Sequence, residues 1–235
     1  MPSYTRTTAL KKISPDSFAP QALYDKLFSW YGPSHWWPGE GPFEIAVGAV
    51  LTQNTAWTNV EKAIDNLKAA GMLDIHRIHA VDESRLASLI RPSGYYNIKT
   101  KRLKNLISLI MDSFSGDLAA FLSQDPEKLR QELLGVNGIG KETADSICCY
   151  AADKEIFVVD AYTKRILLRH HIIDPDWDYD DIQQLFETRL ARRLDVYKDL
   201  HAFMVFIGKE YCKARNPQCE ACPLNGWSST QSILP

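Results

Sequence analysis

Three groups of residues in this 235-residue sequence have types and spacings that could do chemistry. The first is a single acid, Asp160, set behind the apolar triplet Phe157-Val158-Val159. A carboxylate held in one place can stabilise developing positive charge, and it can orient or deprotonate a water. The second is a glycine set, Gly135, Gly138 and Gly140, with Val136 and Ile139 between them and a helix-forming run behind. Glycine lets a backbone turn where a side chain would clash, and it uncovers N–H groups at the start of the next helix. Such a start binds phosphate with no basic side chain. The third is Cys212, Cys219 and Cys222, spaced C-x6-C-x2-C and followed by proline. Three thiolates in that pattern are a metal signal, and soft ligands suit iron–sulfur chemistry. Three tryptophans also sit beside polar or turn-forming residues, in His35-Trp36-Trp37-Pro38 and Gln53-Asn54-Thr55-Ala56-Trp57.

These residues need elements to position them. Leu23, Leu27, Phe28 and Tyr31 fall at helical spacing over 22–31, and Gly32-Pro33 stops that helix. Residues 43–51 are almost wholly apolar, which fits a buried helix or a buried strand. Amphipathic patterns predict helices over 57–72, 83–90 and 99–114, with a turn at Pro92-Ser93-Gly94. Shorter helices are expected at 118–122 and 126–134, the latter with proline in its first turn. Beyond Asp160, helices are predicted over 161–170, 179–193 and 196–212. No alternating pattern supports a sheet, and 156–159 is too short and isolated to found one. The fold class is all-α.

Composition narrows the classes of function. The chain is 45% hydrophobic and 24% charged, ordinary for a globular protein. No apolar run approaches the ~20 residues of a membrane span. The first residues lack the apolar core of a secretory signal, so a cytoplasmic, nucleoid-associated location is expected, with no disulfides. The net charge of −2 does not advertise a nucleic-acid binder. A DNA partner therefore requires local basic patches and backbone N–H groups. Arg91, Lys99, Lys101, Arg102 and Lys104 form one basic run without an acid, and Lys164, Arg165 and Arg169 form a second. Such a run is either a phosphate-facing stripe or a solvated helix face.

The order helix, Gly-x-Gly hairpin, helix, with an aspartate twenty residues after Gly140, resembles the helix-hairpin-helix-GPD superfamily of DNA glycosylases, the endonuclease III relatives. The tandem tryptophans, the Gln53–Trp57 run and Arg91-Pro92-Ser93-Gly94-Tyr95-Tyr96-Asn97 resemble its 3-methyladenine glycosylase branch. The resemblance covers nearly all of the chain past residue 20. It implies two helical lobes, one over 35–154 carrying the hairpin and one from 1–34 plus 155–235, with a DNA-binding cleft between them and Asp160 at its mouth. The partner it implies is double-stranded DNA with a damaged base, bound by a monomer.

The resemblance also implies roles. Asp160 matches the catalytic aspartate, with Arg165 in place of the arginine five residues on; Asp160 is equally suited to capping the helix behind it. Bifunctional relatives carry a lysine in the hairpin, as Gly-x-Gly-x-Lys-Thr-Ala, and its amine forms a Schiff base with the sugar. Here Gly138-Ile139-Gly140-Lys141-Glu142-Thr143-Ala144 puts Glu142 in that slot. Lys141 comes one residue early, about 100° around a helix, and is expected to face phosphate or solvent. A carboxylate cannot form an imine, so a monofunctional enzyme using water is expected. Such an enzyme needs a good leaving group, and alkylated purines carry positive charge. Trp36, Trp37 and Trp57 are the candidate walls of a base pocket, where a cationic ring gains ~2 kcal/mol or more when desolvated; the alternative is that they anchor the core. Gln53 or Asn54 matches the wedge that fills the stack after base flipping, with Asn54 the better match. Lys99, Gly138, Gly140, Lys141 and Arg165 complete the expected DNA contacts.

Members with a [4Fe-4S] cluster continue the cysteine pattern with x5-C, where this chain has Ser228. The fourth iron is then labile, held by Ser228 or another group, or the cluster is not assembled; its expected role is structural. Cys148 and Cys149 read as buried small apolar residues. Two rival functions stand beside the first. One is an endonuclease III-like glycosylase and lyase for oxidised pyrimidines, with Lys141 as the amine. The other is a non-catalytic binder of damaged DNA.

Overall fold

A computed structural model describes residues 18–227. The chain divides into two compact units, one running from His35 to Val158 and the other formed by the chain up to Ser34 together with Val159 onward. Among the described residues every regular element is helical.

The contiguous unit opens with α2 (Pro42–Leu51), since α1 (Pro20–Tyr31) belongs to the other unit. The ambiguous apolar stretch is thus a helix. Val47, Val50 and Leu51 are fully buried in it, and it is apolar all round because other elements cover it on several sides. Then come α3 (Trp57–Ala69), α4 (Ile75–Ala80), α5 (Glu83–Leu89), a 3-10 turn at Arg91–Ser93, and α6 (Tyr96–Phe114). α7 (Leu118–Leu122), α8 (Pro126–Gly135) and α9 (Lys141–Ser146) follow, and α9 runs into a π turn at Ile147–Ala151. One apolar core joins these helices, with Val60, Ile64, Leu67, Leu103, Ile107 and Leu133 among its members.

The second unit packs α1, α10 (Ala161–Arg169), α11 (Tyr179–Glu187) and α12 (Leu194–Glu210). The α10 and α12 helices lie against each other, and α1 lies on α12. Tyr31 stacks on Phe203 with ring centroids 5.5 Å apart. Behind α12 a loop carries the cysteines, with a 3-10 turn at Cys219–Ala221. Ser228 lies outside the described residues.

Three expectations need correction. Helix α4 was not legible as a periodic run; six residues are too few to show a period, and the Asp74 side chain, accepting from the Arg77 N–H at 2.9 Å, caps it. Helix α6 begins three residues before the predicted Lys99, because Tyr95 takes a left-handed conformation (φ 45°) that turns the chain into it. The helix expected over 179–193 stops at Glu187, where the Thr188 hydroxyl donates to the Gln184 carbonyl and the chain turns.

Candidate active site

In the His35–Val158 unit, the glycine hairpin joins α8 to α9. Gly138 has φ +93°, in the region where side chains are strained, and Gly140 is the N-cap of α9. The two flanking helices are tied by a bidentate pair: Arg130 Nε donates to Asp145 Oδ1 at 2.6 Å and its NH2 donates to Oδ2 at 3.1 Å. Asp145 is fully buried, so this contact fixes the hairpin from within. Lys141 and Glu142 form the first turn of α9, and the acid is exposed where the helix dipole is positive.

Gln53 and Asn54 follow α2 and are handled differently. Gln53 Nε2 donates to the Gly138 carbonyl at 3.1 Å and to Thr143 Oγ1 at 2.9 Å, while its Oε1 accepts from Arg102. Asn54 is exposed and left-handed, with φ 53°. Of the two wedge candidates, Gln53 therefore has its amide committed inside the protein, and Asn54 faces outward.

The basic run is not a phosphate-facing stripe. Lys99 is 1% exposed, and its ammonium donates to the Leu51 and Ser93 carbonyls at 2.8 and 2.6 Å. Its expected DNA contact is thereby overturned: Lys99 neutralises carbonyls at the ends of two short elements. Burial, with Arg102 as a lesser cause, lowers its pKa from 10.5 to about 8. Lys104 donates to the His79 and Val81 carbonyls. Arg91 and Lys101 are the exposed members of the run.

Trp36, Trp37 and Trp57 come together. Trp37 and Trp57 meet edge to face, with centroids 5.3 Å apart at 89°, and Trp36 lies 6.0 and 6.2 Å from the two. Tyr150, from the π turn, joins the group 5.2 Å from Trp37. All three tryptophans are partly exposed. Gly48 on α2 makes the close approach feasible: a Cβ there would stand 3.3 Å from Trp57 and 3.4 Å from Trp37. The Trp57 indole N–H donates to Glu61 at 2.9 Å, which fixes the plane of its ring.

In the other unit Asp160 caps α10. Its Oδ1 accepts the Thr163 N–H at 2.7 Å, as a helix N-cap does. Its Oδ2 lies 3.8 Å from Nε2 of His201, which projects from α12 and is 4% exposed. Burial lowers the His201 pKa, with Asp160 pulling the other way. Asp160 itself is 8% exposed. The cap fixes the direction of the carboxylate, and the neighbouring imidazole makes its second oxygen face a polar group.

Arg165, expected as a DNA contact, is partly exposed and has two of its three nitrogens committed inside the protein. Its Nε and NH2 donate to the Cys212 and Gly208 carbonyls at 2.8 and 3.0 Å, and its guanidinium lies 5.0 Å from the centre of the Tyr162 ring. Arg169 donates to Cys212 Sγ at 3.2 Å and to the Lys213 carbonyl at 2.7 Å, and Lys164 donates to the Trp177 carbonyl. Arg165 and Arg169 thus clamp α10 to the end of α12, and Lys164 ties it to the segment before α11.

The cysteines fit a soft metal group in the chemistry of their donors. Burial raises the Cys222 thiol, the Leu224 N–H lowers it, and Cys212 and Cys219 are near enough to raise it further. The Leu224 N–H donates to Cys222 Sγ at 3.4 Å, and Arg169 donates to Cys212, donors of the kind that stabilise thiolate sulfur. Among the described residues no three groups are drawn into a closed ligand set. Cys148 and Cys149 are fully buried, as small apolar residues are.

Sequence reasoning missed His201, Tyr150, Arg130 and Asp145. His201 sits in an apolar run of α12 and carries no motif of its own. The Arg130–Asp145 pair spans 15 positions across a turn, and its partnership follows only from the fold.

Comparison with known proteins agrees with this geometry. Residues 47–192 match the family described as HhH-GPD superfamily base excision DNA repair protein, and residues 212–227 match the iron-sulfur binding domain of endonuclease III. A Methanocaldococcus jannaschii protein, named provisionally as a DNA repair glycosylase, is 47% identical over 203 residues, 86% of this chain and 92% of that protein. Endonuclease III of Sulfolobus acidocaldarius is 27% identical over 186 residues, 79% and 80% of the two chains. Among solved structures, H. pylori 3-methyladenine DNA glycosylase bound to 1,N6-ethenoadenine superposes with a TM-score of 0.71 and 33% identity, covering 80% of this chain and 96% of that one. A non-covalent endonuclease III–DNA complex shares the fold, with a TM-score of 0.75 at 24% identity over 86% and 90% of the chains. With its helix-hairpin-helix, its capping aspartate and its cysteine loop, the chain belongs to the HhH-GPD superfamily of base excision repair proteins and is a DNA repair glycosylase of the endonuclease III-like family.

Proposed function

We propose that this glycosylase is monofunctional and releases alkylated purines of the 3-methyladenine type, using Asp160 and water. The observation that carries the reading is Glu142, which occupies the first turn of α9 where an amine would be needed for imine chemistry. Asp160 stabilises the positive charge that develops on the sugar as the base departs, and it orients the attacking water. A base that already carries positive charge needs no protonation to leave. The Trp36–Trp37–Trp57 group supplies the aromatic faces such a ring prefers. The 33%-identical H. pylori relative, a 3-methyladenine DNA glycosylase, supports the same substrate class.

In this reading the hairpin backbone at Gly138–Gly140 with Lys141 grips phosphate, and Asn54 fills the stack when the base leaves it. Cys212, Cys219 and Cys222 would hold a [4Fe-4S] cluster, and the match of residues 212–227 supports that assignment. Bound there, the cluster would order the loop behind α12.

The test is release of free base from methylated duplex DNA. The wild type should release 3-methyladenine and leave the abasic strand intact, and borohydride should trap no protein–DNA adduct. Incision of thymine-glycol DNA by the wild type but not by Lys141→Ala would transfer the assignment to the lyase reading.

A further inference from the structure

From the contacts of Gln53 and Arg102, we infer that these two residues are a brace that sets the glycine hairpin in register with the Asn54 loop, and that neither contacts DNA. Three elements far apart in the chain meet in this pair. Gln53 leaves the end of α2, Arg102 comes from the middle of α6, and Gly138 and Thr143 belong to the hairpin and to α9. The Gln53 amide uses both of its ends. Its nitrogen serves the Gly138 carbonyl and the Thr143 hydroxyl, and its oxygen takes the Arg102 guanidinium. An amide that accepts from a cation is polarised, which strengthens what its nitrogen donates. The Arg102 stem lies over Gly138, where any Cβ would collide with Arg102 Cγ, Cδ and Nε. The glycine at this left-handed position is therefore needed twice, for its φ of +93° and for the arginine passing over it.

The consequence concerns recognition. Asn54 is the residue after Gln53, and α9, whose first-turn N–H groups would meet the phosphate, begins three residues after Gly138. A shift of the brace moves both together. Fixing both before DNA arrives removes an ordering cost from binding. Gln53 and Arg102 are positioning residues, and the basic character of Arg102 is spent on an amide oxygen instead of a phosphate.

The inference rests on the hairpin being DNA-facing, so the experiment separates the two ideas. Binding of the full chain to a duplex with a tetrahydrofuran abasic analogue is measured over a salt series, for wild type, Gln53→Ala, Arg102→Met, their double variant and Thr143→Val. Loss of one such hydrogen bond should weaken binding by about tenfold or less. Gln53→Ala and Arg102→Met should weaken it by similar factors, and the double variant should be no weaker than either alone. The slope of log K against log salt should stay at the wild-type value, because no phosphate contact is lost. Thr143→Val removes an acceptor on a side chain buried at 6% exposure, and it should also weaken binding while lowering the melting temperature by only a few degrees. A slope reduced by about one in Arg102→Met would mark a direct phosphate contact and overturn the inference. Additive losses, or a Thr143→Val protein binding as wild type while Gln53→Ala does not, would overturn it equally. If the wild type fails to bind the duplex, it is the DNA-facing reading of the hairpin that fails.

Discussion

The two units treat their cations alike and their acids differently. In His35–Val158, Lys99, Arg102 and Lys104 close onto three main-chain segments and a side-chain amide, and Arg130 closes onto buried Asp145. In the other unit Lys164, Arg165 and Arg169 close onto carbonyls and a sulfur. Lys99, Lys104, Lys164, Arg165 and Arg169 are thus clamps on main chain. The acids diverge. Asp145 is consumed by its arginine, whereas Asp160 gives one oxygen to a helix N-terminus and keeps the other 3.8 Å from an imidazole. In the proposed function the hairpin unit offers a surface shaped by backbone, and the Asp160 unit offers the carboxylate. A net charge of −2 is compatible with DNA binding on those terms, because N–H groups carry no formal charge.

This contrast can be broken from the reactive side first. Asp160→Asn keeps an N-cap side chain for α10 but removes the carboxylate charge. Base release should fall by on the order of 10²–10⁴-fold, while the melting temperature stays at the wild-type value. Asp160→Ala should lose the same activity and, in addition, about 1 kcal/mol of stability, read by denaturant titration. Equal activity in Asp160→Asn and wild type would assign the chemistry elsewhere.

The next effect is on the backbone side. Asp145→Ala removes the fully buried half of the pair with Arg130, whose own side chain is a quarter exposed, and the unit should lose on the order of 2 kcal/mol of stability, again by denaturant titration. A loss below 1 kcal/mol would mean the pair does not fix the hairpin.

The smallest effect is a slope with pH. The Lys99 pKa is lowered from 10.5 to about 8, so between those values the unfolded chain holds a proton that the folded chain has released. Stability contributed by this group therefore rises with pH across that window. Denaturant midpoints of wild type and Lys99→Met, compared from pH 7 to 10, should show the wild type gaining on the variant. Parallel profiles would place the Lys99 ammonium in ordinary solvent.

Much of this was legible in the sequence for physical reasons that can be named. Helices α3, α6 and α8 are amphipathic and long enough to show a period, and Pro126 marks a helix start. Asp160 reads as a cap because an acid before a helix has few other uses, and it is one. Clusters of like charge were less legible. Whether a lysine faces water or a carbonyl depends on which loops end beside it, and Lys99 meets Leu51 and Ser93, 48 and 6 positions away. His201 was illegible for the same reason: its neighbour Asp160 is brought to it by the packing of α10 on α12.

One carboxylate of α12 has a bearing on how the chain is made. Asp199 of α12 accepts from both the backbone N–H and the hydroxyl of Ser34, at 2.8 and 2.6 Å across 165 positions. The aromatic residues of α1 likewise wait for Phe203. On a ribosome the hairpin unit is complete once Val158 has emerged, with its core and its buried ion pair available. The first helix must be held in reserve until α12 arrives. The unit bearing Asp160 therefore closes last, after the hairpin unit is already finished.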